Sequence, residues 1–134
     1  MAVTQTVYPQ VKRVRATIAE INAGLELLPA LAGYGYRMID MVMIAVGGAA
    51  ATATSVDINA TRATAAIKLL VVAVAALTQS AVVHAGIANA VVLADGASFT
   101  VCDANTAVTL GKAGSSLATA THVDVILTYV AESA

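Results

Sequence analysis

Residues 69–94 read LLVVAVAALTQSAVVHAGIANAVVLA, a stretch with no formally charged side chain, in which His84 alone can acquire a charge near neutral pH. Such a run is hidden from water by a bilayer, by a protein core or by a neighbouring subunit, and its interior decides among the three. A spanning helix needs about 20 predominantly apolar residues. Here Thr78, Gln79, Ser80, His84, Gly86 and Asn89 interrupt the run, and each polar group set in hydrocarbon costs free energy unless it finds a partner. No aromatic belt or basic cluster flanks it to fix an orientation. The β-branched Val71, Val72, Val74, Val82, Val83, Ile87, Val91 and Val92 instead fall in short groups between turn-like breaks. That pattern predicts two or three short strands covered on both faces, and no membrane partner.

The composition leans the same way. Across 134 residues, 59% are hydrophobic and 11% charged, so one domain carries more apolar surface than an ordinary soluble chain. Seven Lys and Arg against eight Asp and Glu argue against a broad footprint for nucleic acid or anionic lipid. The one local excess is Lys12, Arg13 and Arg15. A single Cys102 excludes an internal disulfide framework and reads as a buried free thiol. The first ten residues lack the basic start and apolar core of a signal peptide, so synthesis in a cytoplasm is expected.

The chain divides into an extended arm over residues 1–12 and a β domain over residues 13–134. Pro9 disfavours helix at Tyr8. Val14–Ile21 reads as a strand closed by Asn22-Ala23-Gly24, and Leu25–Leu31 as a connection broken by Pro29. In Tyr36–Val46, strict alternation sets Tyr36, Met38, Asp40, Val42, Ile44 and Val46 on one face, with Arg37, Ile39, Met41, Met43 and Ala45 on the other. Both faces are mostly apolar, so a neighbouring subunit, an arm or a folded-over loop must cover the second. Met38, Met41 and Met43, with Val71 and Val72 from the charge-free run, are the candidate subunit-interface residues. Gly47–Thr54 and Gly111–Ser116 read as loops, and Asp95-Gly96 as a hairpin turn leading into a strand over Ser98–Cys102. The closing strand is the plainest: His122, Asp124, Ile126 and Thr128 alternate with Val123, Val125, Leu127 and Tyr129. Seven to nine such strands predict an all-β fold, a single β-sandwich or jelly-roll-like domain with an extended N-terminal arm.

No catalytic chemistry is legible. Gly111-Lys112 and Gly114-Ser115 lack phosphate-loop spacing, and Gly33-Tyr34-Gly35 lacks the third glycine of a dinucleotide fingerprint. His122 and Asp124 share a strand face, but no nucleophile can be assigned to them, and the His84 and His122 spacing matches no metal motif. No enzyme activity, cofactor or metal is expected.

The segments Ala16–Gly24, Ala45–Ile58, Leu93–Thr100 and Val123–Tyr129 resemble small structural proteins of tailed bacteriophages, and most of all head decoration (cement) proteins. The resemblance spans most of residues 14–130. It implies a β-rich homotrimer, made in the host cytoplasm and bound on the outer surface of the virion head, with the major capsid protein as partner. Lys12, Arg13 and Arg15 beside the arm are then the candidate capsid-docking residues. A head-fibre or tail component, acting as a receptor- or glycan-binding module, shares much of this texture.

Overall fold

The structure is a computed structural model that describes residues 8–133. Its strands are β1 (Gln10–Thr17), β2 (Leu25–Leu28), β3 (Tyr34–Val46), β4 (Ala50–Arg62), β5 (Ala65–Ala73), β6 (Val82–His84), β7 (Ala90–Val92), β8 (Val108–Thr119) and β9 (His122–Ser133). They form two antiparallel sheets ordered β1-β9-β3-β6 and β2-β8-β4-β5-β7, which pack face to face as an all-β sandwich. Most successive strands change sheets, so the connections wrap the sandwich. The exceptions are the hairpin joining β4 to β5 and the connection from β7 to β8, both within the five-stranded sheet.

The expected alternation in β9 holds: Val123, Val125 and Leu127 are fully buried between the sheets. The charge-free run breaks up into the end of β5, a 3-10 turn at Val74–Ala76, β6 and β7, but it is not covered on both faces, because Val82, Ile87 and Val91 are exposed. β1 starts at Gln10, so residues 10–12 belong to the sandwich and not to the arm. Residues 1–7 of the arm lie outside the described residues.

β1 also ends earlier than its apolar pattern suggests. The Thr17 hydroxyl accepts from the Glu20 amide at 3.2 Å while the Thr17 amide donates to the Glu20 carboxylate at 3.0 Å. This capping box starts a short helix, α1 (Ile18–Ala23), which buries Ile21.

Strict alternation fails in β3 for one reason. The register steps from Met38 opposite Tyr129 to Asp40 opposite Thr128, leaving Ile39 as an extra, exposed residue. A bulge of this kind reverses the phase of everything after it. Tyr36 and Met38 therefore point inward together with Met41, Met43 and Ala45, and all five are buried. Tyr36 packs edge-on against Tyr129 with ring centroids 5.6 Å apart, and its hydroxyl donates to the Pro29 carbonyl at 2.5 Å.

Two expected loops are ordered strand. Ala50–Thr54 belongs to β4 and Gly111–Ser116 to β8, because their small side chains leave room for a bulged ladder in which Gly114, at φ +81°, comes against Thr54. Asp95 and Gly96 do take positive φ, but they join two pieces of 3-10 helix over Ala94–Phe99, with no strand over Ser98–Cys102.

The β4–β5 hairpin turns through Ala63 and Thr64, both at positive φ without a glycine. Their amides donate to the two Asp103 carboxylate oxygens at 2.9 and 2.8 Å, which holds a conformation that costs each non-glycine residue roughly 1–2 kcal/mol. The neighbouring Arg62 donates to the carbonyls of Ala97, Thr100 and Val101, fastening the 94–103 segment to the end of β4. Gly35 sits where a Cβ would lie 2.1 Å from the Cys102 carbonyl oxygen, a backbone atom that cannot swing aside.

Gly35→Ala is expected to destabilise the fold by more than about 2 kcal/mol in urea unfolding. Asp103→Ala, which leaves both turn amides without their acceptor, is expected to cost about 1–3 kcal/mol.

Candidate interaction surface

The outward residues of the four-stranded sheet form a continuous face, and the register fixes its rows. Asp124 of β9 lies between Arg15 of β1 and Ile44 of β3, with Val82 of β6 beyond. Ile126 lies between Arg13 and Val42, with His84 beyond, and Thr128 lies between Val11 and Asp40. The rim of this face exposes apolar side chains: Val11 is 69% accessible, Val82 54% and Ile39 45%.

The centre is electrostatic. Asp124 is 2% accessible at its side chain, and both of its oxygens are engaged. Arg15 donates Nε to Oδ1 at 2.8 Å and Nη2 to Oδ2 at 3.0 Å, a two-pronged fork, and Arg13 Nη2 donates to Oδ2 at 2.7 Å. The Arg13 and Arg15 side chains stay 60% and 54% accessible. The carboxylate is thus closed over by two cations that still face outward. The Arg15 hydrogen bonds, reinforced by those of Arg13 and opposed by burial, hold the Asp124 carboxyl at about 2, below its ordinary 3.8.

The predicted basic trio divides. Arg13 and Arg15 lie on this face, whereas Lys12, one residue out of phase, turns toward the other sheet and donates Nζ to the Leu27 carbonyl at 2.7 Å. Lys12 is therefore removed from the candidate docking residues, because it ties β1 to β2 across the open side of the sandwich. The subunit-interface residues are corrected in the same way. Met38, Met41, Met43 and Val72 are packed inside the chain's own core, through the β3 bulge and the inward phase of β5, and present no surface to a neighbour. Val71 alone faces outward, on the opposite sheet beside exposed Val91.

That opposite sheet repeats the arrangement in smaller form. Asp57, 2% accessible at its side chain, accepts from Ser55 Oγ at 2.7 Å and from the half-exposed Lys68 Nζ at 2.8 Å. Neither buried aspartate stands out in the sequence as one of a pair, because Asp57 sits in an Ala- and Thr-rich strand, Asp124 in a Val-rich one, and the cation lies 11 residues away for Asp57 and 109 or 111 away for Asp124. The strand alternation of Arg13 and Arg15 was the one available signal.

Catalytic arrangements are not brought together. Asp124 is committed to the arginines and does not orient His122, and His84 Nδ1 lies 3.9 Å from Asp40. Cys102 is a buried free thiol whose pKa burial raises, with Arg62 opposing. Among the described residues, no three His, Cys, Asp or Glu side chains converge as metal ligands, and no helix is long and apolar enough to cross a membrane. An open recess of about 290 Å³, lined by Asn59, Ala60, Thr61, Ala66, Ala107 and Thr109, contains no titratable side chain. Comparison with protein-family models, with curated proteins and with solved structures finds no match to this chain.

Because folding lowers the Asp124 pKa, the ion pair's contribution is complete above pH 3.8 and is lost as the pH falls toward about 2. Arg15→Ala leaves a buried carboxylate with one partner. Urea unfolding at pH 7 is expected to show a loss of about 1–3 kcal/mol, and the gap between variant and parent should narrow as the pH is lowered through that window.

Proposed function

We propose that this chain is a non-enzymatic structural subunit of a tailed-bacteriophage virion, a decoration protein that binds the outside of the head as a homo-oligomer and reinforces it. The observation that carries the proposal is the outer face of the four-stranded sheet, where Arg13 and Arg15 on the edge strand β1 are fixed in place by a buried aspartate and exposed Val11, Ile39 and Val82 share the same face. A preorganised face with an aliphatic rim and oriented cations suits a broad protein surface better than a small ligand, since it offers area and charge without a deep cavity.

Two further features support the reading. Leaving β7 aside, the strand order β1-β9-β3-β6 over β2-β8-β4-β5 is that of an eight-stranded jelly roll, an architecture that recurs in viral shells. The sequence resemblance to head decoration proteins runs through β4, β9 and the 3-10 segment. In this arrangement the major capsid protein meets the β1-β9-β3-β6 face, with Arg13 and Arg15 directed at its acidic side chains.

The test uses heads assembled without decoration from the major capsid protein of the same genome. Purified protein should co-sediment with them, and Val11→Asp and Val82→Asp should each weaken binding at least tenfold while far-UV circular dichroism stays that of the parent. Binding undiminished in both variants would contradict docking through this face, and failure of the parent to bind would contradict the decoration role.

A further inference from the structure

The recess of about 290 Å³ lies on the five-stranded sheet, at the point where one of its ladders ends. β8 pairs with β4 as far as Thr109 opposite Asn59, whereas β4 runs on to Arg62 paired only with β5. Beyond Asn59 the Thr61 carbonyl accepts instead from the Asp103 amide at 2.9 Å. The chain that leads into β8 parts from β4 there, and the recess opens between them.

Strand alternation sets what lines it. Val56, Ile58 and Ala60 belong to the core, so Asn59 and Thr61 point outward. Thr109 stands beside Asn59 on β8, and Ala66 stands beside Thr61 on β5. The opening therefore presents one amide and two hydroxyls next to the methyl groups of Ala66 and Ala107. Gly111, the next outward position on β8, leaves the amide its space: a Cβ there would lie 3.4 Å from Asn59 Nδ2.

These polar groups are free. One row along the same face, Ser55, Asp57 and Lys68 satisfy one another, but among the described residues Asn59, Thr61 and Thr109 make no side-chain hydrogen bond. An amide supplies two donors and an acceptor, and each hydroxyl supplies a donor and an acceptor. Charge is absent from the lining. Glu26 lies opposite Thr109 and Lys68 opposite Asn59, yet neither borders the recess, and Lys68 Nζ is turned to Asp57.

That combination selects a ligand class. A phosphate or carboxylate would find no cation here, and a nucleobase would find no aromatic face to stack on. A neutral, hydroxyl-rich ring with a C–H face to set against methyl groups fits both the donors and the alanines. The volume is at the small end of the roughly 300–1,000 Å³ of ligand pockets, which suits one sugar ring.

We infer that this recess binds a single neutral sugar ring, with Asn59, Thr61 and Thr109 bonding its hydroxyls and Ala66 and Ala107 against its C–H face. An open site leaves the far side of the ring in water, so the dissociation constant is on the order of 1 mM. The recess is on the sheet opposite the proposed capsid-binding face, and the inference does not rest on that role.

The experiment is amide NMR of the full chain titrated through the millimolar range with D-glucose, D-galactose, D-mannose and N-acetyl-D-glucosamine, with glucuronate and inorganic phosphate as charged probes. At least one neutral sugar should give saturable shifts centred on Asn59, Thr61 and Thr109. Asn59→Ala should weaken that binding at least tenfold. Ala66→Leu, which fills the opening from an exposed strand position, should weaken it at least as much, with circular dichroism as the folding control for both. No saturable shift with any of the four sugars, shifts centred elsewhere, tighter binding of either charged probe, or undiminished binding in the folded variants would each overturn the inference. None of these readouts involves capsid, so this result and that of the head-binding test stand apart.

Discussion

The carboxylate of Asp124 is the group on which the arrangement of the four-stranded sheet depends. It sits on the outward side of a central strand, where a small anion among Val and Ile neighbours would be poorly solvated. The two β1 arginines satisfy both of its oxygens. An exposed ion pair contributes about 0–1 kcal/mol and a hydrogen bond to a buried charge roughly 1.5–3 kcal/mol. This cluster is nearer the second case, because the anion is buried even though the cations are not. The same contacts hold the edge strand in register and orient two cations outward.

Asp57 with Ser55 and Lys68 plays the corresponding part on the other sheet. Each outer face is thus centred on an aspartate covered by half-exposed cations. This lets a chain with few charges keep polar groups on both faces of the sandwich. The excess apolar content that marks the composition goes mostly into the chain's own core, through Met38, Met41, Met43, Leu69, Leu70 and Val72, and among the described residues the exposed aliphatic remainder includes Val11, Leu31, Ile39, Val82, Ile87 and Val91.

The all-β class was legible because β-branched residues recur in short groups, and β9 was legible in detail because its alternation is uninterrupted. β3 was misread at one residue: a bulge at Ile39 changes nothing in composition but exchanges the faces of all that follow, so an interior row of methionines looked like a second apolar face. α1 was hidden by an apolar pattern that continues from the strand, although Thr17 and Glu20 carry the capping signature. Ala50–Thr54 and Gly111–Ser116 looked like loops because small residues have little strand preference of their own, and here the ladder around them decides. The basic residues were legible as a cluster, but which of them faces outward follows from the phase of β1, which sets Lys12 apart from Arg13 and Arg15. The aspartate that organises them lies more than a hundred residues away and could not be paired with them from sequence.

The central claim is that Asp124 is ionised and doubly engaged in the folded protein, with its pKa carried well down by Arg15 and Arg13. Carbon-detected NMR titration of the Asp124 carboxyl group in the folded chain measures this directly. The account predicts a midpoint at about 2. A midpoint at or above the ordinary 3.8 would contradict it, because the arginines would then not be holding the carboxylate and the outer face would lack its organising contact.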